Sequence, residues 1–102
     1  MTIYSIEIRD DAQEDVSKIA DWYLAISSSL TERFNAELIQ SFYKIQSYPL
    51  AFAAVKKRSQ YRRFIMKIFP YKIYYRVEEN HITVVAIIHV KRSNPYIKRR
   101  LK

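Results

Sequence analysis

His89 is the side chain best suited to moving a proton. Imidazole titrates near neutrality when unperturbed, and this one closes an apolar run, Ile82 to Ile88. Two roles are open to it. Beside cations it can act as general acid or base in cleaving a phosphodiester through the 2′-OH, with positive side chains holding the phosphorane charge. At a strand terminus it can equally make an ordinary hydrogen bond. The other imidazole, His81, falls in a turn and reads as a surface residue. The two histidines are eight positions apart on one extended segment, about 26 Å at strand rise. They do not make a metal site, and no metal is expected. The carboxylates offer little chemistry. Asp10, Asp11, Glu14 and Asp15 cluster where a helix begins, which capping and the helix dipole explain. Glu78 and Glu79 belong to a turn.

The cations are the stronger signal. Residues 1–55 hold 8 acids and 4 bases, a net of −4, whereas residues 56–102 hold 2 acids and 14 bases, a net of +12. Such asymmetry points to an acidic or polyanionic partner for the second half, because concentrated like charge repels itself. Lys56, Lys57, Arg58, Arg62 and Arg63 form one group; Lys91, Arg92, Lys98, Arg99 and Arg100 form another. Between them, Lys72 and Arg76 share a strand face with Tyr74. If that face is open, it shows a tyrosine flanked by cations, suited to a protein interface or to stacking on bases beside phosphates. If the end of the chain covers it, Tyr74 packs beneath.

The elements that position these groups follow from periodicity. Residues 3–9 alternate, with Tyr4, Ile6 and Ile8 on one face, and predict a strand. Asp10 or Asp11 is placed to cap a helix running to about residue 26, on the stripe Ala12, Val16, Ile19, Ala20 and Tyr23. Ser29 with Glu32 has capping-box spacing for a second helix. Its stripe is Leu30, Phe34, Leu38, Phe42 and Ile45, and it ends before Tyr48-Pro49. Helices with so short a joint form an antiparallel hairpin. A loop spans 49–60, then a strand runs from Tyr61 to Ile68. Phe69-Pro70 turns the chain into a strand from Tyr71 to Val77. Glu79-Asn80 suits a tight hairpin, with Asn tolerating positive φ. Residues 81–89 are apolar on both faces, as in a strand covered on both sides. From Asn94-Pro95 the chain reads as a polar, basic tail, residues 94–102. The order β-α-α-β-β-β predicts one α+β domain over residues 1–102, a helical hairpin packed on a mostly antiparallel sheet.

Composition removes several function classes. The chain has no cysteine, which excludes disulfides, thiolate metal sites and a cysteine nucleophile and suits a reducing cytoplasm. It has no glycine, so the phosphate-cradling loops of nucleotide enzymes are missing and no cofactor is expected. No apolar run reaches the roughly 18 residues of a membrane span, and the N-terminal residues do not form a secretory signal.

Several segments together resemble the ParE/RelE toxins of type II toxin–antitoxin systems, and most of all the ParE branch. They are the first strand, Arg33-Phe34 in the second helix, Phe69-Pro70-Tyr71-Lys72-Ile73-Tyr74-Tyr75-Arg76-Val77, the Ile82–His89 strand, Lys91-Arg92, Asn94-Pro95, and the ending Tyr96 to Arg100. The resemblance implies a small cytoplasmic toxin neutralised by a cognate antitoxin, which would be acidic and amphipathic. A ParE-type toxin would bind DNA gyrase without catalysis, through Arg62, Arg63, Lys72, Tyr74, Arg76, Lys91, Arg92, Arg99 and Arg100. A RelE-type toxin would cleave mRNA on the ribosome. In that reading Lys72, Arg92, Arg63 and Tyr96 stand at or near the family's catalytic positions, with His89 as acid–base candidate. A second lysine position of that set is Ile65 here, so the set is incomplete. A third reading is an inactive module that only binds antitoxin. Nothing in the sequence specifies a dimer or a larger toxin–antitoxin assembly.

Overall fold

A computed structural model describes residues 3–57 and 59–101, so Arg58 of the basic loop lies outside the described residues. The order is β1 (Ser5–Ile8), α1 (Asp10–Leu24), α2 (Ser28–Ser47), β2 (Tyr61–Ile65), β3 (Tyr71–Glu78), β4 (His81–His89) and α3 (Asn94–Arg100). The sheet runs β1-β4-β3-β2. β1 lies parallel to β4, and the other two pairings are antiparallel. The expected α+β hairpin-on-sheet architecture is present.

The helical hairpin covers one face of the sheet. Ala12, Tyr23, Phe34, Leu38 and Ile45 meet Phe64, Ile73, Tyr75, Ile82 and Val84 there. Each large side chain buried in this layer contributes roughly 1.5–3 kcal/mol. α2 begins differently from expectation. Ser27, not Ser29, is the cap, and its Oγ accepts the Leu30 N–H at 3.1 Å. At α1 neither Asp10 nor Asp11 caps. Arg9 holds that place without a side-chain cap, while both acids lie in the first turn, where the dipole still favours them. The β3–β4 hairpin also corrects a detail: Glu79, not Asn80, takes positive φ, at 53°.

β2 stops at Ile65, three residues before the predicted end. The chain from Lys67 to Phe69 is held instead by Glu37 of α2. The Glu37 carboxylate accepts the successive N–H groups of Lys67 (2.7 Å), Ile68 (3.1 Å) and Phe69 (2.9 Å). Backbone donors at a turn need partners, and this one carboxylate supplies three.

β4 is buried on both sides. Its register against β3 slips between Tyr74 and Tyr75, so that Tyr74 pairs with Ala86 and Tyr75 with Val84. Val85 is the extra residue, a β-bulge. Val85, Ala86 and Ile88 consequently join Tyr74 in a second apolar layer, beneath Tyr96, Ile97 and Leu101. The predicted basic tail is therefore a helix lying on the sheet. Ser93 caps α3, and Pro95 sits in its first turn, where a missing N–H costs nothing.

Tyr75 tests the packing. It is fully buried, and its hydroxyl donates to the Pro49 carbonyl at 2.6 Å. Burial pushes its ionisation up to about 12. A raised folded-state value means that its stabilisation is complete below the unfolded tyrosine pKa, about 10, and is lost as pH rises towards the folded value. We expect stability to fall between about pH 10 and 12, with tyrosinate absorbance rising together with loss of near-UV circular dichroism. Tyrosinate appearing fully at pH 10 without unfolding would contradict the buried placement.

Candidate functional site

α1 presents Asp15, Lys18 and Trp22 at intervals of three and four, hence on one side of the helix. That side faces the end of β4. Tyr71 opens β3 opposite His89, and the chain then turns through Lys91 and Arg92 into α3. Asp15, Lys18, Trp22, His89, Arg92 and Tyr96 contribute walls of a cleft of about 830 Å³. Its apolar floor includes Ile19, Ile87 and Ile88.

One ion pair fixes the cleft's width. Asp15 accepts both terminal nitrogens of Arg100, at 2.9 and 2.7 Å, and also the Ile87 N–H at 3.0 Å. The last bond has a topological cause. β1 pairs with β4 only as far as Val84, so the outer edge of β4 beyond it lacks a strand. Arg100 also donates to the Tyr96 hydroxyl at 3.2 Å. Arg9, paired with Asp11 at 2.8 Å, reaches the Arg100 carbonyl at 3.1 Å. The hydrogen bonds that Arg100 donates to Asp15 raise the Arg100 pKa further above its already high value, against a smaller opposing effect of burial. The Arg9 guanidinium holds the Asp11 carboxyl below the usual carboxylate range.

His89 accepts the Lys91 N–H at Nδ1, 3.1 Å, so in a neutral ring Nε2 carries the proton. Its ring stands edge-on to Tyr71, with centroids 5.4 Å apart. Arg92 stacks over Tyr96 at 4.5 Å, and Arg99 approaches the same ring at 5.9 Å. Lys91, Arg92 and Arg99 are exposed and form no carboxylate pair among the described residues.

The other predicted site residues are placed elsewhere. Tyr74 is 2 % exposed, covered by α3, and burial raises its pKa. Arg62 is turned inward to the carbonyls of Leu50 (3.3 Å) and Phe52 (2.6 Å). Arg76 pairs with Glu78, and Arg100 is the clamp just described. Arg63 and Lys72 are half-buried. Arg63 pairs with Tyr74 in register, and Lys72 alternates with Tyr74, so both lie on the α3 face. His89 pairs with Tyr71 and lies on the hairpin face. The suggested acid–base set is thus divided between two faces of the sheet. His81 binds Glu7 at 2.9 Å and Ser5 at 2.7 Å, at the opposite end of β4. Among the described residues no three or more of His, Asp and Glu gather as metal ligands, and no helix is long and apolar enough to cross a membrane.

Residues that sequence reasoning passed over are Trp22 and Asp15. Trp22 falls one position off the core stripe of α1, and Asp15 read as an ordinary first-turn acid. The sole available signal was a large aromatic on an otherwise polar helix side.

Residues 6–94 match the family of the ParE toxin of type II toxin-antitoxin systems, parDE. The chain belongs to this family. Solved structures agree on the fold. A chain of the chromosomal ParDE toxin–antitoxin system from P. aeruginosa superposes with a TM-score of 0.75 at 15 % identity, covering 87 % of this chain and 98 % of that one. The RelBE2 complex from Mycobacterium tuberculosis gives 0.62 at 15 %, covering 86 % and 99 %. A mutant of the E. coli toxin RelE in the free state gives 0.63 at 14 %, covering 96 % and 98 %. No curated protein matches the chain in sequence. This ParE-family toxin therefore shares its fold with both ParE and RelE structures, and the fold does not select between their activities.

The Arg100 clamp has a measurable weight. Its side chain and that of Asp15 are 18 % and 15 % exposed, so removing one strands a partly desolvated charge. Arg100→Ala should cost about 2 kcal/mol in urea unfolding and speed amide exchange over Tyr96–Leu101. A cost below about 0.5 kcal/mol, the weight of a surface pair, would mean that apolar packing alone seats α3.

Proposed function

We propose that this toxin acts by binding DNA gyrase rather than by catalysis, through the cationic rim beside the cleft. The observation that carries this reading is the division of the candidate nuclease groups. His89 lies on one side of the sheet, while Lys72 and Arg63 lie on the other. General acid–base cleavage needs its groups within hydrogen-bond reach of one phosphate. The rim itself suits gripping. Lys91, Arg92 and Arg99 have no carboxylate partner among the described residues, and arginine and aromatic side chains are common energetic anchors of interfaces. Tyr74, Arg62, Arg76 and Arg100 serve the fold in this reading, so Lys91, Arg92 and Arg99 carry the contact to the target.

A cognate antitoxin is the expected partner in the cytoplasm. The P. aeruginosa and M. tuberculosis structures are toxin–antitoxin systems by their descriptions, and a cationic surface favours an acidic segment that associates fast and salt-sensitively. One observation favours the nuclease reading. His89 lines the same cleft as Arg92, so a proton-transfer group and a phosphate-binding group share a wall.

One preparation, assayed for gyrase supercoiling and for cleavage of ribosome-programmed mRNA, separates the two. Inhibition of supercoiling without cleavage is expected. Lys91→Ala with Arg92→Ala should raise the inhibitory concentration at least tenfold, about 1.4 kcal/mol, while circular dichroism stays unchanged. Cleavage of mRNA abolished by His89→Gln, with gyrase unaffected, would replace this reading with the ribonuclease. Expression that leaves growth unaffected would favour a module that only binds antitoxin.

A further inference from the structure

We propose that the cleft between α1 and the end of β4 binds single-stranded DNA, with an unstacked base against Trp22 and its phosphates on Lys91 and Arg92. The inference rests on the reading of this rim as the target-gripping surface and names what is gripped.

Trp22 is the sole tryptophan of the chain and is 62 % exposed. It faces the cleft from α1, edge to Tyr23 with centroids 5.5 Å apart. Such exposure of the largest apolar side chain has no use in the fold, since the core of α1 is already formed by Ala12, Val16, Ile19 and Tyr23. Across the cleft stand the His89 ring and the Arg92–Tyr96 stack. Aromatic rings beside unpaired cations are the pattern by which proteins hold single strands: bases stack on the rings and phosphates meet the charges. Among the described residues the cleft's one lining carboxylate is Asp15, and it is consumed by Arg100 and the Ile87 N–H. The remaining field is therefore positive.

The shape selects the occupant. A duplex is read by an element that protrudes into its groove, whereas this site is concave. Its volume of about 830 Å³ lies within the range of pockets that enclose small ligands, roughly 300–1,000 Å³. A nucleotide fits such a space and a duplex does not. A purely acidic peptide without apolar side chains would satisfy the cations but make no use of the aromatic wall. A single strand supplies unstacked bases next to backbone phosphates.

Because Trp22 is the sole tryptophan, its fluorescence reports directly on the cleft. Titrating the full-length toxin with a short oligo(dT) should give saturable quenching. With two phosphate contacts, affinity should weaken roughly sevenfold between about 50 and 200 mM salt. By anisotropy of labelled oligo(dT), Trp22→Ala should bind roughly fivefold to a hundredfold more weakly, and Trp22→Phe should recover most of the loss. Lys91→Ala with Arg92→Ala should remove the salt dependence. Absence of quenching overturns the proposal. So does undiminished binding by Trp22→Ala, equal quenching by poly-glutamate or by duplex DNA, or tighter binding of oligo(rU). Gyrase inhibition without oligo(dT) binding would overturn this inference and leave the gyrase reading standing. Oligo(dT) binding without gyrase inhibition would do the reverse.

Discussion

The pairing of Arg100 with Asp15 is the contact on which the arrangement of α1, β4 and α3 around the cleft depends. It arises from an unfinished sheet edge. β1 is short, and beyond Val84 the outer edge of β4 has no neighbouring strand. Asp15 of α1 supplies the missing acceptor for Ile87 and simultaneously holds Arg100. A single carboxylate thereby joins α1, β4 and α3. A partly desolvated carboxylate needs its hydrogen bonds, so the three elements are held in one arrangement. The spacing of Trp22 from the Arg92–Tyr96 stack is set by that arrangement.

The same economy explains the charge distribution. Acids of the first half are used as acceptors within the fold: Glu37 for three backbone donors, Asp11 for Arg9, Asp15 for Arg100. The other five first-half acids, Glu7, Asp10, Glu14, Asp21 and Glu32, are exposed. Lys91 and Arg92 line the cleft and Arg99 lies beside the Tyr96 ring, and none of the three pairs with a carboxylate among the described residues. Long-range attraction of an anionic partner follows from such a surface, whichever target the toxin meets.

α3 decides how much of the sheet is available. Apolar Tyr96, Ile97 and Leu101 cover Tyr74, Val85, Ala86 and Ile88. The bulge at Val85 is what widens this second layer, since it turns two successive residues to the same face. Without α3 the sheet would expose a tyrosine and several aliphatic side chains. With it, the basic residues of the same segment are divided. Arg100 turns inward, and Lys98 and Arg99 turn to solvent.

Periodicity along the chain determined the elements and their faces. The stripes of α1 and α2 and the alternation of β3 predict the face that packs into the main core, because burial of one face imposes period 3.6 or 2 on any sequence, whereas the burial of Tyr74 on the other face of β3 was left open. The apolar run of β4 likewise revealed a strand covered twice. The choice among neighbouring polar residues was not legible. Ser27 against Ser29, or Glu79 against Asn80, turns on backbone angles set by how the flanking elements meet. Nor was α3 visible: its seven residues hold too few apolar positions to display a stripe, and its helix exists against the bulged sheet. The fate of each cation was decided by tertiary structure alone. Arg92, Arg99 and Arg100 are chemically identical in sequence, yet among the described residues only Arg100 pairs with Asp15, 85 positions away, and distance in space, not residue type, makes one a clamp and leaves the others against the Tyr96 ring.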